Sequence, residues 1–350
     1  MKPLLALLLC VPAALFAEAE KTVIIAGSDL QASTDAAGGR QIAKLLAQIK
    51  ADGYTNADRV LFCGDYTVKL NNRPSESDSG IAALKEALFS AQLGIEPDEL
   101  VLVQGNHDPV GTSGIAPSGA NDPASKRYGV FVINEDDYMW HQSKTPTNGN
   151  PDLSDDEATV KRTAANLEAY LSLKQKEHFK GPIFVCSHLP LHYSMRSYTG
   201  GDGRYAKYIF DVLNRYAQKG LKLFFLFGHN HSNGWDNYLG NARVFLKPGD
   251  KMPIGVPADR KRCTTQPIAF TYMNAGYTGY ITTSDPNDGA DRTLSMSVFE
   301  IDAKGNVTIK RYAFDGPCEL KAPGVPNTRN NNEEAKLKLY KVPAGREIKD

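Results

Sequence analysis

The sequence predicts an α/β fold, with a mostly parallel sheet covered by helices and a second, β-rich half that forms another sheet. Two observations lead to this prediction. Up to residue 231, short apolar runs rich in β-branched residues alternate with segments whose apolar residues recur at helical spacing. Beyond that point, strand-like runs are joined by turn sequences such as Pro286-Asn287-Asp288-Gly289.

The elements follow in order along the chain. The first strand is predicted at 22–29, where TVIIAGSD opens with a β-branched run, and 38–49 then shows helical spacing. The other elements of the first part are strands at 59–65, 99–105, 182–187 and 221–227 and helices at 79–93, 155–179 and 203–219. The strands predicted in the second part are 243–246, 267–274, 277–283, 293–301 and 306–314.

Two long segments, 109–154 and 189–203, interrupt this pattern and are predicted to be loops. Loops of this length inside a compact domain are usually functional or disordered. Their aromatic residues are therefore candidates for lining a substrate cleft: Tyr138, Trp140, Tyr193 and Tyr198. Packing of these rings onto the body of the domain explains them equally well.

The chain is predicted to contain a signal peptide at 1–19, one domain at 20–320 and a polar C-terminal tail at 321–350. Lys2, an apolar stretch that ends at Phe16 and a small residue at Ala19 form the layout of a secretory signal. The alternative is a membrane anchor, but the stretch is shorter than the roughly 20 residues that span a bilayer. We therefore expect a secreted or periplasmic protein without a stable membrane anchor.

Composition restricts the class of partner. The chain has 350 residues, of which 41% are hydrophobic, so it can bury a large core. Its 40 basic residues balance 40 acidic ones, which leaves no global positive field for nucleic acid, and no nucleic-acid partner is expected. The sequence leaves the oligomeric state open.

Four cysteines remain once the signal peptide is set aside. Cys63 and Cys186 end apolar runs, which favours small buried core residues. Cys263 and Cys318 lie in polar, loop-like sequence, where a disulfide and two free thiols are equally good explanations.

Five polar motifs lie at the carboxyl ends of predicted strands. They are Asp29-Leu30-Gln31, Gly64-Asp65, Gly105-Asn106-His107-Asp108, Ser187-His188 and Gly228-His229-Asn230-His231. Functional groups gather at the carboxyl ends of the strands in parallel sheets. Taken singly, each residue has an ordinary explanation as a turn former or a core histidine. Together, so many polar groups at converging strand ends need a compensating ion, and carboxylate, imidazole and amide donors suit Mn, Fe, Zn or Mg.

In this order, the motifs resemble those of the calcineurin-like metallophosphoesterase family, whose pattern is DxH, GDxx, GNH[DE], a lone His and GHxH. The resemblance implies a four-layer α/β/β/α sandwich with two mixed sheets flanked by helices. It also implies a phosphoesterase that hydrolyses phosphomonoesters or phosphodiesters on a small-molecule or phosphorylated substrate. In such an enzyme a hydroxide that bridges two divalent ions attacks phosphorus.

The resemblance also implies a role for each motif residue. Two ions would share the Asp65 carboxylate. The implied ligands of one ion are Asp29, Gln31, Asp65 and His231, and those of the other are Asp65, Asn106, His188 and His229. His107 would stabilise the transition state or protonate the leaving oxygen, and Asp108 would orient His107 by accepting a hydrogen bond.

Gln31 departs from the family pattern, which has histidine at that position. An amide oxygen is a weaker ligand than imidazole for transition metals, although harder ions accept it. The main alternative is therefore a single-metal or catalytically weak substrate-binding protein on the same scaffold. A third hypothesis is a secreted module whose β-rich half binds a surface polymer, and Tyr272, Tyr277 and Tyr280 fit that hypothesis as well as they fit a sheet core.

Overall fold

The structure is a computed structural model. It describes residues 21–31, 37–67, 73–124, 126–134, 154–191, 205–229, 235–236, 242–243, 245–254, 264–279, 295–313 and 340–342. The α-helices of the described part are α1 Ala37–Ala51, α2 Pro74–Ser90, α3 Ser154–Lys176 and α4 Ala206–Gln218. The strands are β1 Thr22–Gly27, β2 Arg59–Phe62, β3 Leu100–Leu102, β4 Gly119–Ala120, β5 Gly129–Ile133, β6 Pro182–Ser187, β7 Lys222–Phe227, β8 Trp235–Asp236, β9 Ala242–Arg243, β10 Phe245–Leu246, β11 Lys251–Ile254, β12 Thr264–Pro267, β13 Thr271–Asn274, β14 Ser295–Ile301, β15 Val307–Ala313 and β16 Tyr340–Val342.

Most of these strands belong to two six-stranded sheets. Sheet 1 has the order β16-β15-β14-β1-β2-β3, and sheet 2 has the order β10-β13-β7-β6-β5-β4. In sheet 1, β1, β2 and β3 are parallel while β14 runs antiparallel to β1. In sheet 2, β5, β6, β7 and β13 are parallel, and β4 and β10 are antiparallel edge strands. Both sheets are therefore mixed, which confirms the implied fold class.

The core has three parts that correspond to the spaces between four layers. On β1, Val23 and Ile25 pack with α1 and α2, whereas Ile24 and Ala26 face the other sheet. Such alternation is expected of an extended strand, and here both faces are apolar because both are covered. β6 alternates in the same way between sheet 1 and the helices α3 and α4. The order of layers is helices, sheet 1, sheet 2, helices.

The assignment of the second sheet to the second half of the chain is wrong. β1, β2 and β3 form part of sheet 1, whereas β5, β6 and β7 form part of sheet 2. The later strands divide as well, since β14 and β15 join sheet 1 and β13 joins sheet 2. The physical reason is that strands buried on both faces look alike in sequence, so their apolar pattern does not say which sheet they join.

The prediction of a loop over 109–154 is also wrong in part, because β4 and β5 lie within it. The run Gly129–Ile133 is entirely buried and pairs in parallel with β6. Most of the other predicted loop, 189–203, lies outside the described residues, as do the four aromatic residues considered for a cleft.

Several smaller predictions have clear outcomes. α2 begins at Pro74, five residues earlier than predicted, and proline suits the first turn of a helix because its missing N–H needs no partner there. Cys63 and Cys186 are buried and free, as expected of core residues. Cys263, Cys318 and residues 1–20 lie outside the described part. Within the predicted tail, β16 pairs with β15, and the domain boundaries stay predictions.

Candidate metal centre

The described residues of the five motifs meet at one edge of the sandwich, where β1, β2 and β3 of sheet 1 and β6 and β7 of sheet 2 end. Backbone hydrogen bonds join neighbouring loops there. The N–H of Asp29 donates to the carbonyl of Gly64 at 2.9 Å, and the N–H of Gln31 donates to the carbonyl of Asp65 at 3.0 Å. In sheet 2, the N–H of Gly228 donates to the carbonyl of His188 at 2.9 Å. The loops therefore form one connected layer.

Two motif glycines are required by close approach of these loops. A Cβ on Gly105 would lie 2.3 Å from Oδ1 of Asp65, and a Cβ on Gly228 would lie 2.7 Å from Oδ2 of Asp29. Any side chain at either position would displace a carboxylate. The glycines thus allow the candidate ligands to lie close together.

Strained backbone is concentrated at the same place. Asp29, Gln31, Asp65 and His229 have φ values of 52°, 42°, 61° and 68°. Non-glycine residues rarely adopt this left-handed region, and residues that do so are often at functional sites. Turns of this kind follow β1, β2 and β7, three of the five strands that end at the site.

Three buried side chains form the centre of the site. Ligand atoms of Asp29, Asp65 and His188 all lie within 4.8 Å of one another. Oδ2 of Asp65 makes a charge contact of 3.3 Å with Nε2 of His188, but among the described residues no donor N–H or O–H is directed at it. A buried carboxylate oxygen without a donor is costly. A cation would satisfy it, so the donor set fits a divalent ion.

His188 is held in the orientation that a metal ligand needs. Its Nδ1 lies 2.7 Å from the carbonyl of Cys63, which fixes Nδ1 as the donor and turns Nε2 toward the cluster. Nε2 lies 3.0 Å from Oδ1 of Asn106. The same Asn106 oxygen lies 2.8 Å from Nδ1 of His229. Asp65, Asn106, His188 and His229 are thus brought together, as the resemblance implies for one ion.

Asp29 connects sheet 1 to the loop after β7. Its carboxylate oxygens accept the backbone N–H of His229 at 3.1 and 2.9 Å. Oδ2 also accepts the hydroxyl of Ser28 at 2.6 Å. These contacts orient the Asp29 carboxylate and join the two sheets at the site.

The electrostatics of Asp65 and His188 favour opposite charges. Burial disfavours the charged Asp65 carboxylate, but the His188 and His107 imidazoles overcome this and hold the pKa of Asp65 below its usual range. Burial likewise disfavours charged His188, yet the Asp65 carboxylate raises the pKa of His188 to about 10. An ion bound at Nε2 would take the place of the proton there.

The remaining candidate ligands are less completely described. Gln31 is buried, and its backbone hydrogen bond to Asp65 places it beside the centre. His231 lies outside the described residues. Gln31, Asp29 and His231 as ligands of one ion therefore stay a prediction.

His107 lies at the solvent side of the centre. Its backbone N–H donates to Oδ1 of Asp65 at 2.9 Å, and its ring Nε2 lies 3.8 Å from Oδ2 of Asp65. Its side chain is 11% exposed, so a molecule that binds the centre from solvent would meet this ring. Nδ1 of His107 has no hydrogen-bond partner among the described residues.

The structure contradicts the expected hydrogen bond from His107 to Asp108. Both Asp108 oxygens are directed to other donors: the backbone N–H groups of Asp65, Tyr66 and Gly105 and the hydroxyl of Ser77. Burial and the charge of Asp65 raise the pKa of Asp108 to about 7, while the hydrogen bonds from Gly105, Tyr66 and Ser77 favour the ionised carboxylate and oppose that shift. The geometric reason is that Asp108 points inward from the turn after β3, away from the His107 ring.

Sequence reasoning missed three groups that orient the site: the Ser28 hydroxyl, the Ser77 hydroxyl and the Cys63 carbonyl. Ser28 precedes Asp29 directly, so a search for hydroxyls beside the motifs would have found it. Ser77 lies on α2, 31 residues before Asp108, and no spacing rule predicts that contact. The Cys63 carbonyl is a backbone group and leaves no trace in the sequence.

Comparison with known families identifies the chain's relatives. The family model described as calcineurin-like phosphoesterase matches residues 23–233, which is more than half of the 350 residues. The matched span contains every candidate ligand from Asp29 to His231. Among curated protein sequences there is no match.

Three solved structures are similar to the structure of this chain. A dimetal phosphatase from Danio rerio covers 83% of this chain and 96% of its own, with 11% identity and a TM-score of 0.50. A conserved uncharacterized protein from Streptococcus pneumoniae, described as a predicted phosphoesterase, covers 87% and 95%, with 11% identity and a TM-score of 0.31. GAP50, described as the anchor in the inner membrane complex of Plasmodium, covers 83% and 84%, with 13% identity and a TM-score of 0.42.

The first of these structures supports the fold alone, because the identity is only 11%. No helix within the described residues combines the length and the apolar character that crossing a membrane requires. The family match and the buried cluster of Asp29, Asp65 and His188 carry the assignment. The chain therefore belongs to the calcineurin-like phosphoesterase family and is a metal-dependent phosphoesterase.

Proposed function

We propose that this protein is an exported hydrolase that cleaves phosphomonoesters or phosphodiesters at a centre of two divalent ions. The observation that carries the proposal is the Asp65 carboxylate. It is fully buried, it lies close to both Asp29 and His188, and no donor among the described residues is directed at its Oδ2. An oxygen in this position is suited to be shared between two cations.

The residues divide between two ions. Asn106, His188 and His229 join Asp65 at one ion, and their mutual contacts of 2.8 to 3.3 Å support that set. Asp29, Gln31 and His231 would join Asp65 at the other ion. When bound, the two ions supply an activated water and neutralise charge on the phosphoryl oxygens. These donors suit Mn, Fe, Zn or Mg.

His107 is proposed to act on the substrate. Its ring stands at the solvent side of the centre, so it is placed to stabilise charge on the phosphoryl group or to protonate the leaving oxygen. The backbone N–H of His107 meanwhile helps to hold Asp65.

Hydrolysis tests this proposal directly. The purified protein, supplied with Mn or Zn, is assayed against a broad panel of aryl and alkyl phosphate monoesters and diesters. We expect turnover of at least one ester class, with the preferred class showing whether the enzyme is a monoesterase or a diesterase. Absence of hydrolysis across the panel, with metal bound, would contradict the proposal.

Export is proposed from the N-terminal segment, whose layout is that of a signal peptide. Expression in a bacterial host with a functioning secretory system is expected to release a protein that begins near residue 20. N-terminal sequencing of the periplasmic or secreted fraction measures this. Recovery only of uncleaved, cytoplasmic protein would exclude export in that host.

A second candidate is a single-metal or catalytically weak substrate-binding protein on the same scaffold. Gln31 favours it, since an amide stands where the family pattern has an imidazole. Metal analysis separates the two candidates, because two ions per chain with turnover favour the enzyme, whereas one ion without turnover favours the alternative.

A further inference from the structure

Asp108 has an unusual set of partners for a residue that follows a candidate catalytic histidine. Its side chain is fully buried. Oδ2 accepts the backbone N–H of Asp65 at 2.8 Å and that of Gly105 at 2.9 Å. Oδ1 accepts the backbone N–H of Tyr66 at 3.1 Å and the hydroxyl of Ser77 at 2.9 Å. Four donors thus converge on one carboxylate, and none comes from the His107 ring.

These contacts join two different loops. Asp65 and Tyr66 belong to the loop after β2, whereas Gly105 and Asp108 belong to the loop after β3. The connection is reciprocal, because Oδ1 of Asp65 accepts the backbone N–H of His107 at 2.9 Å. Each carboxylate therefore binds the backbone of the loop that carries the other. Asn106 lies between Gly105 and His107, whose backbone N–H groups are held by Asp108 and Asp65.

Only a carboxylate satisfies all these donors. An ionised carboxylate offers about four acceptor sites and no donor. An asparagine would direct an N–H₂ group toward backbone N–H groups, so at least one buried donor would lose its partner. The helix α2 completes the arrangement through Ser77, and it lies so close that a Cβ on Gly80 would meet the Tyr66 carbonyl at 2.2 Å.

We propose that Asp108 is a positioning residue for the metal centre. It holds the loop after β2 against the loop after β3, and thereby sets the separation between Asp65 and Asn106, which are ligands of the same ion. This inference rests on the proposed metal sites. It concerns affinity for the ion rather than turnover, so it is tested independently of the substrate.

The test compares Mn²⁺ binding to the full-length protein and two variants. In Asp108→Asn we expect the affinity for Mn²⁺ to fall about 10- to 100-fold, the range typical of residues that orient metal ligands. Asp58→Asn is the matched control. Asp58 also accepts a backbone N–H, that of Val23 at 2.7 Å, but at the amino end of β1, far along the strand from the site. Its Mn²⁺ affinity is expected to stay within about twofold of wild type.

The melting temperature of the metal-free proteins is measured alongside the titrations. Unchanged Mn²⁺ affinity in Asp108→Asn would overturn the proposal, and so would an equal loss of affinity in Asp58→Asn, because that would indicate general destabilisation. A changed pH profile of hydrolysis with unchanged Mn²⁺ affinity would also overturn it, since Asp108 would then act through His107.

If Asp108→Asn does not fold, the affinity for Mn²⁺ is measured in Ser77→Ala instead. This variant removes one of the four hydrogen bonds at the Asp108 carboxylate. Weaker Mn²⁺ binding would support the proposal, and wild-type binding would overturn it. Failure of the proposed function gives a different result, namely a wild-type protein that binds Mn²⁺ and hydrolyses no phosphoester.

Discussion

Asp65 and His107 lie on two different loops, and one backbone hydrogen bond joins the candidate ligand to the candidate reactive group. The Asp65 carboxylate accepts the His107 backbone N–H, while the His107 ring remains partly exposed beside it. The backbone contact does not depend on the identity of the side chain at position 107. The two roles of His107, holding Asp65 and acting on substrate, are therefore separable by mutation.

Replacing His107 with alanine is expected to leave metal content unchanged and to lower kcat about 10²- to 10⁴-fold, the usual range for loss of acid catalysis. Steady-state kinetics on nitrophenyl and phenyl phosphates measure this. A larger loss on the phenyl ester, which has the poorer leaving group, would indicate protonation of the leaving oxygen. Equal losses on both esters would indicate stabilisation of phosphoryl charge.

The control for this substitution is His178→Asn. His178 is exposed, and asparagine tolerates its φ of 52°. Wild-type activity is expected. If His107→Ala retains full activity, His107 has no catalytic role.

The sequence was a good guide to which residues meet at the site and a poor guide to what orients them. Asp29, Asp65, Asn106, His188 and His229 were all predicted, because each follows a strand whose end is visible as the end of an apolar run. The partners of Asp108 were not predictable, since three of its four donors are backbone N–H groups. A sequence motif specifies side chains, but it does not specify the backbone groups that surround them.

At the scale of elements, the candidate ligands come from the turns that follow the strands rather than from the strands themselves. β1, β2 and β3 end beside β6 and β7, and the turns that follow lie in contact through glycines. Strand positions were predictable from short apolar runs. Their division between two sheets was not, because strands such as β1 and β6 are apolar on both faces. β5 was missed since its apolar run lies within a long segment rich in proline, glycine and serine.

Gly105→Ala is expected to abolish metal binding and hydrolysis. The new Cβ would lie 2.3 Å from Oδ1 and 2.5 Å from the backbone N of Asp65, so the loop after β2 must move. Metal analysis and phosphoesterase assays of the purified variant measure the effect. Wild-type metal content in this variant would show that the close approach of the two loops is not required.

Gly220→Ala serves as the matched control. Gly220 has a φ of +97°, but a Cβ there would meet nothing within 4 Å. Alanine at such a φ is expected to cost about 1–2 kcal/mol of unfolding free energy through backbone strain. Activity of the folded variant is expected to be preserved, which distinguishes strain from displacement of a ligand.

At the scale of the whole molecule, the two halves of the chain are interleaved. β14 pairs with β1 in sheet 1, and β13 pairs with β7 in sheet 2. Asp29 follows β1 and His229 follows β7, so each of these strands lies beside a strand from the second half. The family match ends at residue 233, but the structural unit does not.

A variant that ends at residue 233 is therefore expected not to fold. It would lose β13 and β14, so β1 and β7 would become edge strands with unpaired backbone N–H and C=O groups. Thermal unfolding followed by near-ultraviolet circular dichroism measures this, with the full-length protein as the control. A cooperative transition in the truncated chain would show that the first half is an independent domain.

The central claim is that Asp65 joins two ions into one hydrolytic centre. Metal content and phosphoester hydrolysis, measured on the same preparations of wild type and Asp65→Ala, test it most directly. We predict two divalent ions per chain and turnover in the wild type, with both ions weakened and hydrolysis abolished in the variant. An Asp65→Ala protein that keeps both ions, or that hydrolyses its substrate as fast as wild type, would contradict the claim.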